Sequence, residues 1–101
     1  MKIVLCEKYG SGIEDVLDCE RECKWLKGHG YDVRKHMGEE NFRYDPKLIE
    51  LLEQMKKENP TQYFKLSVHE VPDEATDWEI QEYDGAEEFV IYVLNGKICR
   101  T

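Results

Sequence analysis

Phe89-Val-Ile-Tyr-Val-Leu94, Asn95-Gly96 and Lys97-Ile-Cys-Arg100 form the stretch on which the reading of the fold turns. Two runs rich in β-branched and aromatic residues flank Asn-Gly, a pair that readily takes positive φ at both positions. The pattern predicts a hairpin closed by a type I′ turn. Within Phe89–Leu94, Phe89, Ile91 and Val93 alternate with Val90, Tyr92 and Leu94. The strand is therefore apolar on both sides and expects cover on both, including cover from other copies of the chain.

Working outward, Trp78 and Ile80 alternate with Glu79 and Gln81, which predicts a further strand ending in the turn Asp84-Gly85. Tyr63–Val71 alternates Phe64, Leu66 and Val68 against Lys65, Ser67 and His69, as a half-buried strand does, and Pro72 closes it. Asp45-Pro46 is a helix start, with Asp as N-cap and Pro at the first helical position; Leu48, Leu51, Leu52 and Met55 then form one stripe that ends at Asn59-Pro60. At the N-terminal end, Lys2–Cys6 reads as a short buried strand, Glu7–Gly12 as a loop, and about Ile13 to Lys27 as a helix stopped by Gly28 and Gly30. Tyr31–Lys35 reads as a short strand and Met37–Tyr44 as a loop. The order predicts a single α+β domain over 1–101: a two-layer sandwich with two helices on one face of a mostly antiparallel sheet of four to five strands.

Charge is concentrated in one segment. Nine of the 22 acidic residues lie between Glu70 and Glu88, where no Lys or Arg occurs, whereas residues 1–69 carry 13 acids against 12 bases. The net charge of −8 argues against a duplex-binding role, which rests on cationic contacts to phosphate. No run approaches the ~18 apolar residues of a membrane span, and Met-Lys-Ile-Val-Leu-Cys is too short for a signal-peptide core. A cytoplasmic protein is expected, with its four cysteines as thiols. The acidic segment reads either as a partner-facing surface or as an edge strand whose carboxylates block sheet-to-sheet association.

Few residues suggest chemistry. Gly10-Ser11-Gly12 between a strand and a helix invites a phosphate cradle, but the third glycine and the Lys-Ser/Thr pair are missing, and Glu14 and Asp15 would oppose an anion. Cys19, Cys23, His29 and His36 have no common zinc spacing, so neither a metal nor another cofactor is expected. No acid, base or nucleophile is singled out, and a non-enzymatic role is expected. Tyr83-Asp84-Gly85 differs: beyond closing a turn, Tyr can stack on a base and Asp can accept from the donor pair of a guanine edge. Arg43 and Arg100 are the cations suited to phosphate.

Three patches together resemble a widespread family of small phage-encoded proteins: Lys2-Ile-Val with Tyr9-Gly10; Arg43-Tyr-Asp-Pro-Lys-Leu-Ile49; and Leu66-x-Val-x-Glu-Val-Pro-Asp73 followed by Trp78-x-Ile-x-Glu-Tyr-Asp-Gly-x-Glu87. The resemblance implies an accessory protein acting in the bacterial host cytosol, and by analogy one that evades host immunity by sequestering a cyclic nucleotide signal as an oligomer. The expected ligand residues are Tyr9, Trp78 and Tyr83 for stacking, Asp84 for the base edge, and Arg43 and Arg100 for phosphate. The alternative partner is a host defence protein met by the acidic segment.

Overall fold

The computed structural model describes all residues, Met1–Thr101. Its strands are β1 (Lys2–Cys6), β2 (Leu66–Glu70), β3 (Asp77–Tyr83), β4 (Ala86–Leu94) and β5 (Lys97–Arg100). Its α-helices are α1 (Glu20–Gly28), α2 (Val33–His36) and α3 (Pro46–Glu58), joined by 3-10 stretches at Gly12–Asp18 and Phe42–Tyr44. The α+β class holds. The single sheet, however, is replaced by two antiparallel ones, β1-β2 and β3-β4-β5.

Alternation along β1 explains the layering. Val4 and Cys6 face the helices and share a core with Val16, Leu26, Leu48, Leu52 and Met55. Ile3 and Leu5 point the opposite way, into a smaller core with Val71 and Val90. β1 is thus sandwiched between the helical layer and the three-stranded sheet, which is why it is apolar from Ile3 to Cys6. The second face of β1-β2 is covered by the chain's own hairpins.

Helix α3 matches its signals. The Asp45 side chain accepts from the Lys47 amide, Pro46 opens the helix, and Leu48, Ile49, Leu51, Leu52 and Met55 are buried. The continuous helix expected over 13–27 does not form. A 3-10 stretch, non-helical at Asp15, gives way at Cys19 (φ −82°, ψ 68°) to α1. Val16, Cys19 and Leu26, which would share one face of an unbroken helix, still enter one core across this break. Nor is Tyr31–Lys35 a strand: Asp32 caps the one-turn helix α2 by accepting from the Arg34 amide, a local bond that competes with strand pairing. In the segment read as a loop, Phe42 is buried and anchors a 3-10 turn.

The hairpins follow the turn chemistry. Asn95 (φ 52°) and Gly96 (φ 76°) both take positive φ, as do Asp84 (φ 49°) and Gly85 (φ 85°). Strand β4 pairs regularly with β5, and Val90 lies opposite Ile80 on β3. Between Gln81 and Glu82 the register shifts: Gln81 faces Phe89 but Glu82 faces Glu87, leaving Glu88 as an extra residue. This bulge reverses the alternation, so Glu87 leaves the side of Phe89, Ile91 and Val93 and turns inward.

Candidate functional site

The inward turn of Glu87 builds a junction from the three sequence patches. Glu87 is only 4% exposed. Its carboxylate pairs with both terminal nitrogens of Arg43, Oε1 accepting from Nη1 at 2.8 Å and Oε2 from Nη2. Oε1 also accepts from the Cys6 amide at 3.0 Å, and Oε2 from the Ile13 amide at 3.4 Å. Arg43 Nη1 donates a second bond to the Val4 carbonyl at 3.0 Å. The hydrogen bond to Glu87 is the main force raising the Arg43 pKa, so the guanidinium stays charged despite partial burial.

Val4 C=O and Cys6 N–H project from the same edge of β1. The opposite edge pairs with β2, as the bonds from Glu7 N to Lys65 O and from Val71 N to Met1 O mark out. The Arg43–Glu87 pair therefore satisfies the free edge of β1 where another strand would otherwise bind. The two sheets remain separate because side chains occupy the place where their ladder would continue.

Above this pair the loop after β1 meets the β3-β4 turn. The Gly10 amide donates to the Asp84 carbonyl at 2.7 Å. A Cβ on Gly85 would lie 2.0 Å from the Gly10 carbonyl oxygen, and one on Gly12 would lie 2.7 Å from the Gly85 oxygen and 2.8 Å from Glu87 Oε2. Glycine at 12 and 85 is thus required by contact as well as by positive φ. The loop amides are engaged within the protein: Ser11 N with Asp15 Oδ2, Gly12 N with Lys8 O, and Ile13 N with Glu87. They form no phosphate cradle.

Tyr9 stands on the loop after β1 and Tyr83 ends β3 at the turn that this loop touches, each 63% exposed, and exposed Asp84 follows Tyr83 in that turn. These three predicted ligand residues come together. The other three do not join them. Arg43 lies beneath, held by Glu87, and is not free to take phosphate without stranding a buried carboxylate. Trp78 lies opposite Tyr92 on the core-facing side of the three-stranded sheet, whereas Arg100 lies on its other side, 4.0 Å above the Phe89 ring. A single pocket containing all six residues is not formed. Glu87 and Gly12 organise the junction; in the sequence Glu87 is an acidic residue that closes the third patch and Gly12 a glycine of the loop after β1, and the bulge that aims Glu87 leaves no mark in the alternation.

Elsewhere, eight of the nine acids between Glu70 and Glu88 are exposed, Glu87 being the exception. A groove of about 540 Å³ between α3 and β2 is lined by Leu52, Met55, Lys56, Phe64, Leu66 and Val68; it contains none of the predicted ligand residues. Cys6 and Cys19 bring their Sγ atoms within 3.6 Å inside the core, while Cys23 donates to the Val16 carbonyl. Burial pushes the Cys23 thiol up to about 11. His29 stacks on Trp25 and His36 on Tyr31, so these two histidines are held in separate aromatic contacts.

No helix is long and apolar enough to cross a membrane. These features define a small α+β protein with an exposed aromatic and acidic junction on a buried ion pair. No protein-family model matches the chain, and no match is found among curated proteins or solved structures.

Proposed function

We propose that this chain is a phage accessory protein that binds and sequesters a nucleotide immune signal, cyclic dinucleotides included, in the bacterial host cytosol without turning it over. The observation that carries the reading is the pair of exposed tyrosines, Tyr9 and Tyr83, on loops hydrogen-bonded to each other with Asp84 beside them. Tyrosines offer π-faces to a base, and a carboxylate accepts from a base edge bearing paired donors. With Arg43 engaged by Glu87 and Arg100 on a distant sheet face, the cation for phosphate is Lys8, next to Tyr9 in the same loop. The buried scaffold beneath the loops preorganises them, which reduces the ordering cost of binding.

Calorimetry with a panel of cyclic dinucleotides tests the reading. Binding should weaken by about tenfold or more in Tyr83→Ala, in line with ~1–3 kcal/mol for a base–aromatic stack, and Asp84→Asn should favour different bases. No heat with any nucleotide at high micromolar concentration would rule it out.

A second reading is favoured by the exposed carboxylates of Glu70–Glu88: an acidic surface that docks on a basic patch of a host defence protein and inhibits it. Affinity for such a partner should fall steeply with salt. Salt-independent capture would contradict this second reading.

A further inference from the structure

The outer side of the three-stranded sheet is used by neither the core nor the loop junction. Val90, Tyr92 and Ile80 face β1 and its small core. By alternation, Phe89, Ile91 and Val93 face away, and cross-strand pairing puts Ile98 beside Val93 on that same side. Ile98 is 79% exposed, the most exposed large apolar residue in the chain. Phe89, Ile91 and Val93 are half-buried and belong to neither core. A contiguous apolar stripe of this kind on a small protein marks an interaction surface.

Register fixes the charges around the stripe. One row across the sheet reads Asp77, Val93, Ile98, and the next reads Glu79, Ile91, Arg100. The face is therefore acidic along β3, apolar along β4, and cationic at Arg100 on β5. We propose that this face is the interface between two copies of the chain, packed sheet on sheet about a twofold axis that runs along β4.

Charge complementarity selects both the occupant and the axis. A twofold along the strands lays β3 of one copy over β5 of the other and keeps the rows level. Glu79 then meets Arg100 of the partner subunit, twice by symmetry, and Ile91 and Val93 pack on their own counterparts. A twofold running across the strands would instead lay β3 over β3 and set Glu79 against Glu79. That arrangement is repulsive, and like charges facing each other across an interface exclude it. Aligned sheets of this kind pack at roughly 10 Å with their strands within ~30° of each other, so the central rows stay in register. Such a dimer supplies the second cover that the two-sided apolar sequence of β4 requires. It leaves Tyr9 and Tyr83 on the turn end, so the interface stands apart from the nucleotide reading.

Sedimentation velocity of the full chain from low micromolar to near-millimolar concentration tests the proposal. The expected result is a concentration-dependent species of twice the 12.0 kDa protomer mass. Ile98→Glu should abolish the dimer, and its unchanged circular dichroism would show that folding is intact. Glu79→Arg should weaken dimerisation, and adding Arg100→Glu should restore it. A monomer at every concentration, a dimer unaffected by Ile98→Glu, or a double charge reversal no better than the single would each overturn the proposed interface. A protein that stays monomeric yet binds nucleotide would overturn the interface alone, leaving the ligand reading in place.

Discussion

Single residues govern how closely the elements approach, and Gly85 is the sharpest instance. Both Gly85 and Gly96 sit at positive φ in type I′ turns, but a Cβ at Gly96 meets open space whereas one at Gly85 would lie 2.0 Å from the Gly10 carbonyl. Gly96→Ala should cost about 1 kcal/mol, the conformational penalty alone. Gly85→Ala should cost more than about 2 kcal/mol, because the loop after β1 must also retreat; chemical denaturation of the two variants checks the difference. His69 provides a pH test. Its imidazole accepts or donates to Ser67 at 3.0 Å and Thr101 at 2.6 Å, and burial holds its pKa below the usual 6.5. A depressed folded pKa means that the unfolded chain binds the proton more readily, so this contribution is present above about pH 6.5 and is lost as the pH falls through the folded value. Thermal melts should show a drop on mild acidification that is shallower in His69→Gln; identical pH profiles would contradict the assignment.

At the level of elements, the Arg43–Glu87 pair takes the place of a strand. Arg43→Ala leaves a 4% exposed carboxylate without its counter-charge and should cost about 3–5 kcal/mol. Glu87→Gln keeps the shape but loses the charge. A double-mutant cycle of the two should show coupling of at least about 1 kcal/mol, and the Cys6 amide should exchange hydrogen faster in Glu87→Ala. Additive losses with an unchanged Cys6 amide would mean that the pair does not cap the strand. Much of the element list was legible in the sequence: Asp45-Pro46 set the start of α3, and Asn95-Gly96 set the β4-β5 hairpin, because each rests on local stereochemistry. The division into two sheets was not legible, since it depends on a register shift at Glu88 and on side chains far apart in sequence meeting at β1. The break at Cys19 was hidden as well. Val16, Cys19 and Leu26 lie on one face of a continuous helical period and in one core, so the apolar pattern runs through the break unmarked.

Across the whole molecule, 43 × 30 × 27 Å in extent, three sequence patches, around Tyr9-Gly10, Arg43 and Tyr83–Glu87, meet at one junction. The patches serve two purposes there. Arg43, Gly12, Gly85 and Glu87 hold the junction together, whereas Tyr9, Tyr83 and Asp84 are turned outward by it. The proximity of the two tyrosine loops was beyond the sequence because nothing local pairs residue 10 with residue 84; of the expected ligand set, Arg43 lies beneath the loops in the ion pair, and Trp78 and Arg100 lie on the three-stranded sheet away from them. The most direct test of a ligand end at this junction is a nuclear magnetic resonance titration of the isotope-labelled full chain with cyclic dinucleotides. Binding at the junction predicts shifts confined to the amides of Lys8–Ile13 and Tyr83–Gly85, lost in Tyr83→Ala. Shifts clustered along the α3–β2 groove instead, or none at saturating nucleotide, would contradict it.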